Sequence, residues 1–200
     1  MSFAEAFPKT MILETDKVLL RALEQSDTEP FRIIAKDKEI WSYFTKDLSR
    51  DDDLNTWVRE AIADMQTGKR FPFTIIEKST GRICGCTSLG SISFYDKRIE
   101  IGWTWLGKEF MGTGINTHAK FLLLQFAFEQ LRFIRVEIKT DNKNARAKNA
   151  LVKIGAQAEG VFRSHMQMFN NRRRDSIYYS ILSSEWELVR KAVFGHIHSV

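Results

Sequence analysis

The spacing of apolar residues changes along this chain, and each change marks an element. Lys17 to Leu23 (KVLLRAL) reads as a first strand, followed by Ser26-Asp27 as a helix cap and a helix presenting Phe31, Ile34 and Ala35. Leu54, Trp57, Val58, Ala61, Ile62 and Met65 recur at helical spacing behind Asp51-Asp52-Asp53, whose charges suit the positive end of a helix dipole. From Phe71 the period falls to two. PFTIIEK, ICGCTSLGSISF and Arg98 to Leu106 (RIEIGWTWL) read as three antiparallel strands, the first two joined through Ser79-Thr80-Gly81. A long helix is expected from about Thr113 to Gln130, with Ile115, Ala119, Leu122, Leu123, Phe126 and Ala127 on one stripe and Phe121, Leu124 and Phe128 on a second. A helix apolar on two sides packs deep against a sheet.

Ile134, Val136 and Ile138 alternate with charged residues as in a half-buried strand. Asn144 then caps a short helix carrying Ala147, Ala150, Leu151 and Ile154, which Gly155 stops. Two strands, roughly Gln157 to Met168 and Asp175 to Leu182, meet at a polar turn at Asn170-Asn171, and a last helix begins near Ser184. This order predicts an α/β protein with a mixed, largely antiparallel central sheet and flanking helices. A single domain is expected over 1–200, its core at about 12–183 and its C-terminal helix at about 184–197, because no repeat or Pro/Gly/Ser linker divides the chain.

Composition adds limits. With 44% hydrophobic and 28% charged side chains, 200 residues suffice for a sizeable core. A net charge of +5 suits an anionic ligand but is too mild to point to nucleic acid. The start of the chain lacks an apolar leader, and no run approaches the roughly 18 apolar residues of a membrane span, so a cytoplasmic protein with no membrane partner is expected. Cys84 and Cys86, two apart on one strand, point the same way and read as packing groups.

The chemistry is expected where the strand ending at Leu106 feeds the long helix through Met111-Gly112-Thr113-Gly114-Ile115-Asn116. The two glycines let the main chain bend close to a ligand, and the first N–H groups of the helix lack partners within it and point at any anion there. The turn is neither the G-x-x-x-x-G-K-[ST] of a nucleotide-triphosphate loop nor a dinucleotide G-x-G-x-x-G. Alone it indicates only an anion site.

Three ordered blocks give that anion an identity: Ile99 to Leu131, Lys139 to Gly160, and His165-Met166 followed by Arg172 to Leu182. Together they resemble the GNAT superfamily of acetyltransferases, and within it the branch of ribosomal-protein N-terminal acetyltransferases. The resemblance implies the acyl-CoA N-acyltransferase fold, acetyl-CoA as co-substrate, no metal, and transfer of the acetyl group to a primary amine by direct attack. The acceptor is a protein N-terminus or a small molecule. It places the cofactor pyrophosphate on Met111 to Asn116, the pantetheine arm along Trp105-Leu106, and Asn144 near the thioester. The family's Gln/Arg-x-x-Gly-x-Gly/Ala signature is altered at both ends here, by Met111 and Asn116, which leaves binding to the backbone around Gly112 and Gly114.

The resemblance also implies a backbone N–H near Leu106 as oxyanion donor. Glu100, on the strand leading to the turn and expected on one face with Gly102, Thr104 and Leu106, is either the base or an exposed or hairpin-paired strand carboxylate. His118 and His165 are further candidates. The family's tyrosine acid falls on Leu151 and is therefore missing, so Tyr178 or Tyr179 replaces it only if the fold brings one close. A CoA-binding sensor without turnover is the alternative that these departures suggest. An α-amine of pKa about 7.8 is roughly a tenth neutral at pH 7, against fewer than one in a thousand for a lysine near 10.4, so a site lacking an obvious base favours an N-terminus.

Trp103 and Trp105 are expected to share a face with Ile99 and Ile101. Trp41, Tyr43 and Phe44 either line the acceptor cleft or belong to the core, and Arg172-Arg173-Arg174 reads as a solvated turn rather than a nucleic-acid contact. Exposed strand edges leave a homodimer open.

Overall fold

In the computed structural model, residues 2–198 are described. Strands β1 (Ile12–Glu14), β2 (Val18–Ala22), β3 (Arg70–Glu77), β4 (Ile83–Ser93), β5 (Arg98–Leu106), β6 (Arg135–Asp141), β7 (Gln157–Gln167) and β8 (Arg173–Leu182) make one sheet in the order β1-β2-β3-β4-β5-β6-β8-β7. Neighbours are antiparallel except β5 and β6, so the expected mixed sheet is present. Strand β1 and a short helix α1 (Phe3–Ala6) lie outside the sequence expectations. At three and four residues, neither repeats its period often enough to announce itself.

Helices α2 (Thr28–Ile34) and α3 (Asp51–Gln66) cover one face of the sheet. Leu54, Trp57, Val58, Ala61 and Met65 of α3 are buried, each worth roughly 1.5–3 kcal/mol when large and apolar. The opposite face carries α4 (Ile115–Gln125) and α6 (Ser183–Phe194), whose Phe121, Phe128, Trp186 and Phe194 rings pack together. The expected long helix is present and runs unbroken from Ile115 to Gln130, its last segment, Phe126–Gln130, widening to π-type geometry. Helix α5 (Ala145–Lys153) follows β6. Among the described residues, no helix is long and apolar enough to cross a membrane.

One irregularity decides which side chains meet. Cys86 pairs with Trp105 but Ser88 pairs with Gly102, so Thr87 faces both Trp103 and Thr104 across a β-bulge, with Trp103 at φ 51°. One extra residue reverses the alternation beyond it. The expected face-sharing is corrected accordingly. Trp103 and Trp105 point to the α2/α3 side with Glu100 and Gly102, whereas Thr104 turns to α4 and bonds Lys120. Ile99 and Ile101 do not share the tryptophans' face.

Candidate functional site

Parallel pairing of β5 with β6 covers only Arg98–Glu100 against Arg135–Glu137. Beyond Glu100, β5 continues to Leu106 with β4 alone as neighbour, while β6 keeps to β8. The sheet is therefore open between them. Gly107 N–H donates to Cys84 O at 2.9 Å, and since antiparallel residues alternate in the edge they bond, the N–H of Leu106 faces this opening.

The opening leads to the glycine turn. Gly112 (φ 78°) and Gly114 (φ 91°) both adopt left-handed backbone, and α4 starts at Ile115. The first intrahelical bond there is His118 N–H to Gly114 O, 3.1 Å, so the preceding N–H groups are unpaired within α4 and point out of its end. Thr113 Oγ1 donates to Phe110 O at 2.8 Å and braces the turn. A Cβ added at Gly112 would meet nothing within 4 Å, whereas one at Gly114 would stand 3.5 Å from Lys17 Nζ.

Two cations not foreseen from sequence flank this turn. Lys17 Nζ donates to Thr113 O at 2.6 Å, and Arg146 Nη1 lies 2.9 Å from Met111 Sδ. Both come from distant segments, and nothing local in the sequence joins them to the turn. Asn144, 8% exposed, accepts from Ala147 N–H at 3.0 Å and so serves as the cap of α5.

At the last paired position of β5 and β6 stands Glu100, buried, with both oxygens 2.6 Å from Lys139 Nζ and Ser91 Oγ donating at 3.1 Å. Lys139 sits 5.6 Å from the Tyr178 ring centroid and 5.9 Å from that of Trp103. His165 Nδ1 is 3.0 Å from Ser176 Oγ, and its ring centroid lies 5.8 Å from that of Tyr178. Burial, then the Glu100 charge, pushes the Tyr178 phenol above its ordinary value; burial and nearby Lys139 and Arg174 push His165 down. Tyr178 is thus the tyrosine brought to the Glu100 face. Tyr179 is buried on the other side of β8. His118 is remote from this cluster, held at 2.9 Å from Thr15 Oγ1 and lowered in pKa mainly by burial.

Next to Trp103 lies a cavity of about 160 Å³ lined by Trp41, Phe44, Trp57, Arg70, Trp103 and Trp105 among others. Trp41 is core as well as lining, 1% exposed, its indole N–H donating to Ala35 O at 2.8 Å. A larger depression of about 550 Å³ at the outer side of α3 is lined by polar, mostly exposed residues such as Asp52 and Arg59 and is open to solvent.

Three further groups depart from or refine expectation. Lys120 is buried on the otherwise apolar α4, donating to Thr104 Oγ1 at 2.8 Å, and burial pulls its pKa down to about 7. The arginine run is only partly solvated: Arg173 is exposed and bonds Ser164, but Arg172 pairs with buried Asp141 and Arg174 is buried. Cys84 and Cys86 are buried thiols, raised to about 11 and about 12 chiefly by burial.

Residues 17–157 match the acetyltransferase (GNAT) domain family. The chain belongs to this family. Over 179 residues the acetyltransferase is 31% identical to YdaF of Bacillus subtilis (strain 168), provisionally named a ribosomal N-acetyltransferase, covering 86% of this chain and 94% of YdaF. It is 25% identical to a GCN5-related N-acetyltransferase from Brucella melitensis, with a TM-score of 0.85 over 94% of this chain and 86% of that one. The RimJ structure from Mycobacterium smegmatis, at 19% identity, shares the fold with a TM-score of 0.78 over 94% and 97% of the two chains.

Proposed function

We propose that this acetyltransferase moves the acetyl group of acetyl-CoA to a protein N-terminal α-amine. The observation that carries the cofactor half is the set of unpaired N–H groups at the start of α4, which opens onto the free edge of β5. The pyrophosphate sits on Met111 to Asn116 against these main-chain donors, with Lys17 and Arg146 adding positive charge. The pantetheine arm pairs along Trp105-Leu106, and Asn144 shapes the end of α5 beside it. RimJ, which shares the fold, was solved with CoA-disulfide, and YdaF bears a ribosomal N-acetyltransferase name.

In this reading the amine attacks the thioester carbon and Leu106 N–H stabilises the oxyanion. Glu100, fixed by Lys139 at the apex of the opening and six residues from Leu106 along β5, accepts the amine proton through a chain of waters. Tyr178, whose raised pKa keeps its phenol protonated, returns a proton to the leaving thiolate. A single carboxylate tied to a lysine is a modest base, and the low pKa of an α-amine suits it. The test is incubation of peptide pools with isotopically labelled acetyl-CoA followed by mass spectrometry. Label on N-terminal amines is the expected result; label confined to lysine side chains or polyamines would overturn the choice of acceptor.

A further inference from the structure

Two of the residues that line the tryptophan-walled cavity, Arg70 and Trp105, each carry a buried donor without a bond partner among the described residues. Arg70 is 3% exposed; its Nε donates to Asp64 at 2.9 Å, and Nη1 has no partner among the described residues. The guanidinium lies over two indoles, 5.0 Å from the Trp103 centroid and 5.5 Å from that of Trp57. Stacking and the Asp64 bond together fix the direction of its free N–H. Trp105, also 3% exposed, packs its ring among Phe31, Trp41 and Trp57, and its Nε1 likewise has no partner. Buried donors are almost always bonded, so two orphans on one small cavity call for an outside acceptor atom.

We infer that the cavity reads a carbonyl or carboxylate oxygen on the acceptor substrate, bound by Arg70 Nη1 and Trp105 Nε1. This rests on the acetyltransferase reading above and names the residues that would recognise its acceptor. Both orphans are donors, so the ligand group is an acceptor; a plain alkylamine or a polyamine has none to offer. The volume of about 160 Å³ admits a small polar group with a short apolar side chain, not a bulky ring system. The other charged residues lining it, Lys46, Glu60 and Asp64, leave with Arg70 no net charge, so a neutral peptide carbonyl is accepted as well as a carboxylate. An α-amine next to its own carbonyl meets this description, whether it belongs to a free amino acid or to a peptide.

The test compares three acceptors with labelled acetyl-CoA: a short peptide with a free N-terminus, the free amino acid, and an alkylamine of equal length without the oxygen. Rates are divided by the neutral-amine fraction, since the alkylamine is the stronger base. Peptide and amino acid together distinguish the two sources of the oxygen. We expect kcat/KM to favour an oxygen-bearing acceptor about 10-fold or more, and Trp105→Phe, which keeps a ring but removes the N–H, to shrink that ratio toward one. Arg70→Lys, which keeps the charge but loses the fork, acts in the same direction. A corrected ratio near one, or a ratio that neither variant changes, overturns the inference. Titration of the cavity's own tryptophan fluorescence reads occupancy without turnover. Saturable quenching by the peptide but not the alkylamine supports the inference even if no acetyl transfer is seen, a result that would count against the transferase reading alone; identical responses to both ligands would sink it.

Discussion

The two sides of β5 are made of different material. Toward α4, the anion turn offers main-chain N–H groups, and the side chains at Met111 and Asn116 depart from the family signature without altering those donors. Toward α2 and α3, the surface is all side chain: Glu100 on Lys139, Tyr178 beyond it, and Arg70 stacked between Trp57 and Trp103. A backbone site tolerates changes of residue but not of backbone conformation. A side-chain site does the reverse, since each donor is one substitution from removal. On the function proposed above, the contrast would separate a constant cofactor from a selected acceptor.

The strongest way to break this contrast is Gly114→Glu. It puts a side chain on left-handed backbone and places a negative charge beside Lys17, where the pyrophosphate would sit, so affinity for acetyl-CoA should fall on the order of 1,000-fold by calorimetric titration. Tyr178→Phe should lower kcat about 100-fold while acetyl-CoA affinity stays constant, as expected for loss of a proton donor. An unchanged kcat would remove Tyr178 from the mechanism.

Lys120 sharpens the contrast from beneath the sheet. Folding lowers its pKa from 10.5 to about 7, so between those values the unfolded chain binds more protons and stability rises with pH. Below about pH 7 the full penalty of a buried charge is present. Lys120→Met should therefore stabilise the protein by up to about 5 kcal/mol at pH 6 and by clearly less at pH 10, measured as urea unfolding midpoints. Equal gains at both pH values would mean the amine is not desolvated. The smallest effect is expected for Met111→Ala, which should change acetyl-CoA affinity less than about 3-fold if the turn binds through its backbone as proposed.

The same contrast explains what could be read from sequence. Gly112 and Gly114 announce the turn locally, and the period-two and helical stripes announce β3 to β6 and α3 to α5. The acceptor side depends on contacts far apart in the chain. Arg70 meets Trp103 only after β3, β4 and β5 are assembled, and Lys139 meets Glu100 only across the parallel pair. The bulge at Trp103 has no sequence mark, yet it moves two tryptophans to the other face of the sheet and sends Thr104 to Lys120. Tyr178 and Tyr179 are adjacent, and only the register of β8 on β6 decides which reaches Lys139.

The most direct measurement is a calorimetric titration of acetyl-CoA into the wild type, Met111→Ala and Gly114→Glu side by side. A backbone-made cofactor site predicts near-equal binding by the first two and none measurable by the third. Loss of binding in Met111→Ala, or wild-type binding by Gly114→Glu, would contradict it.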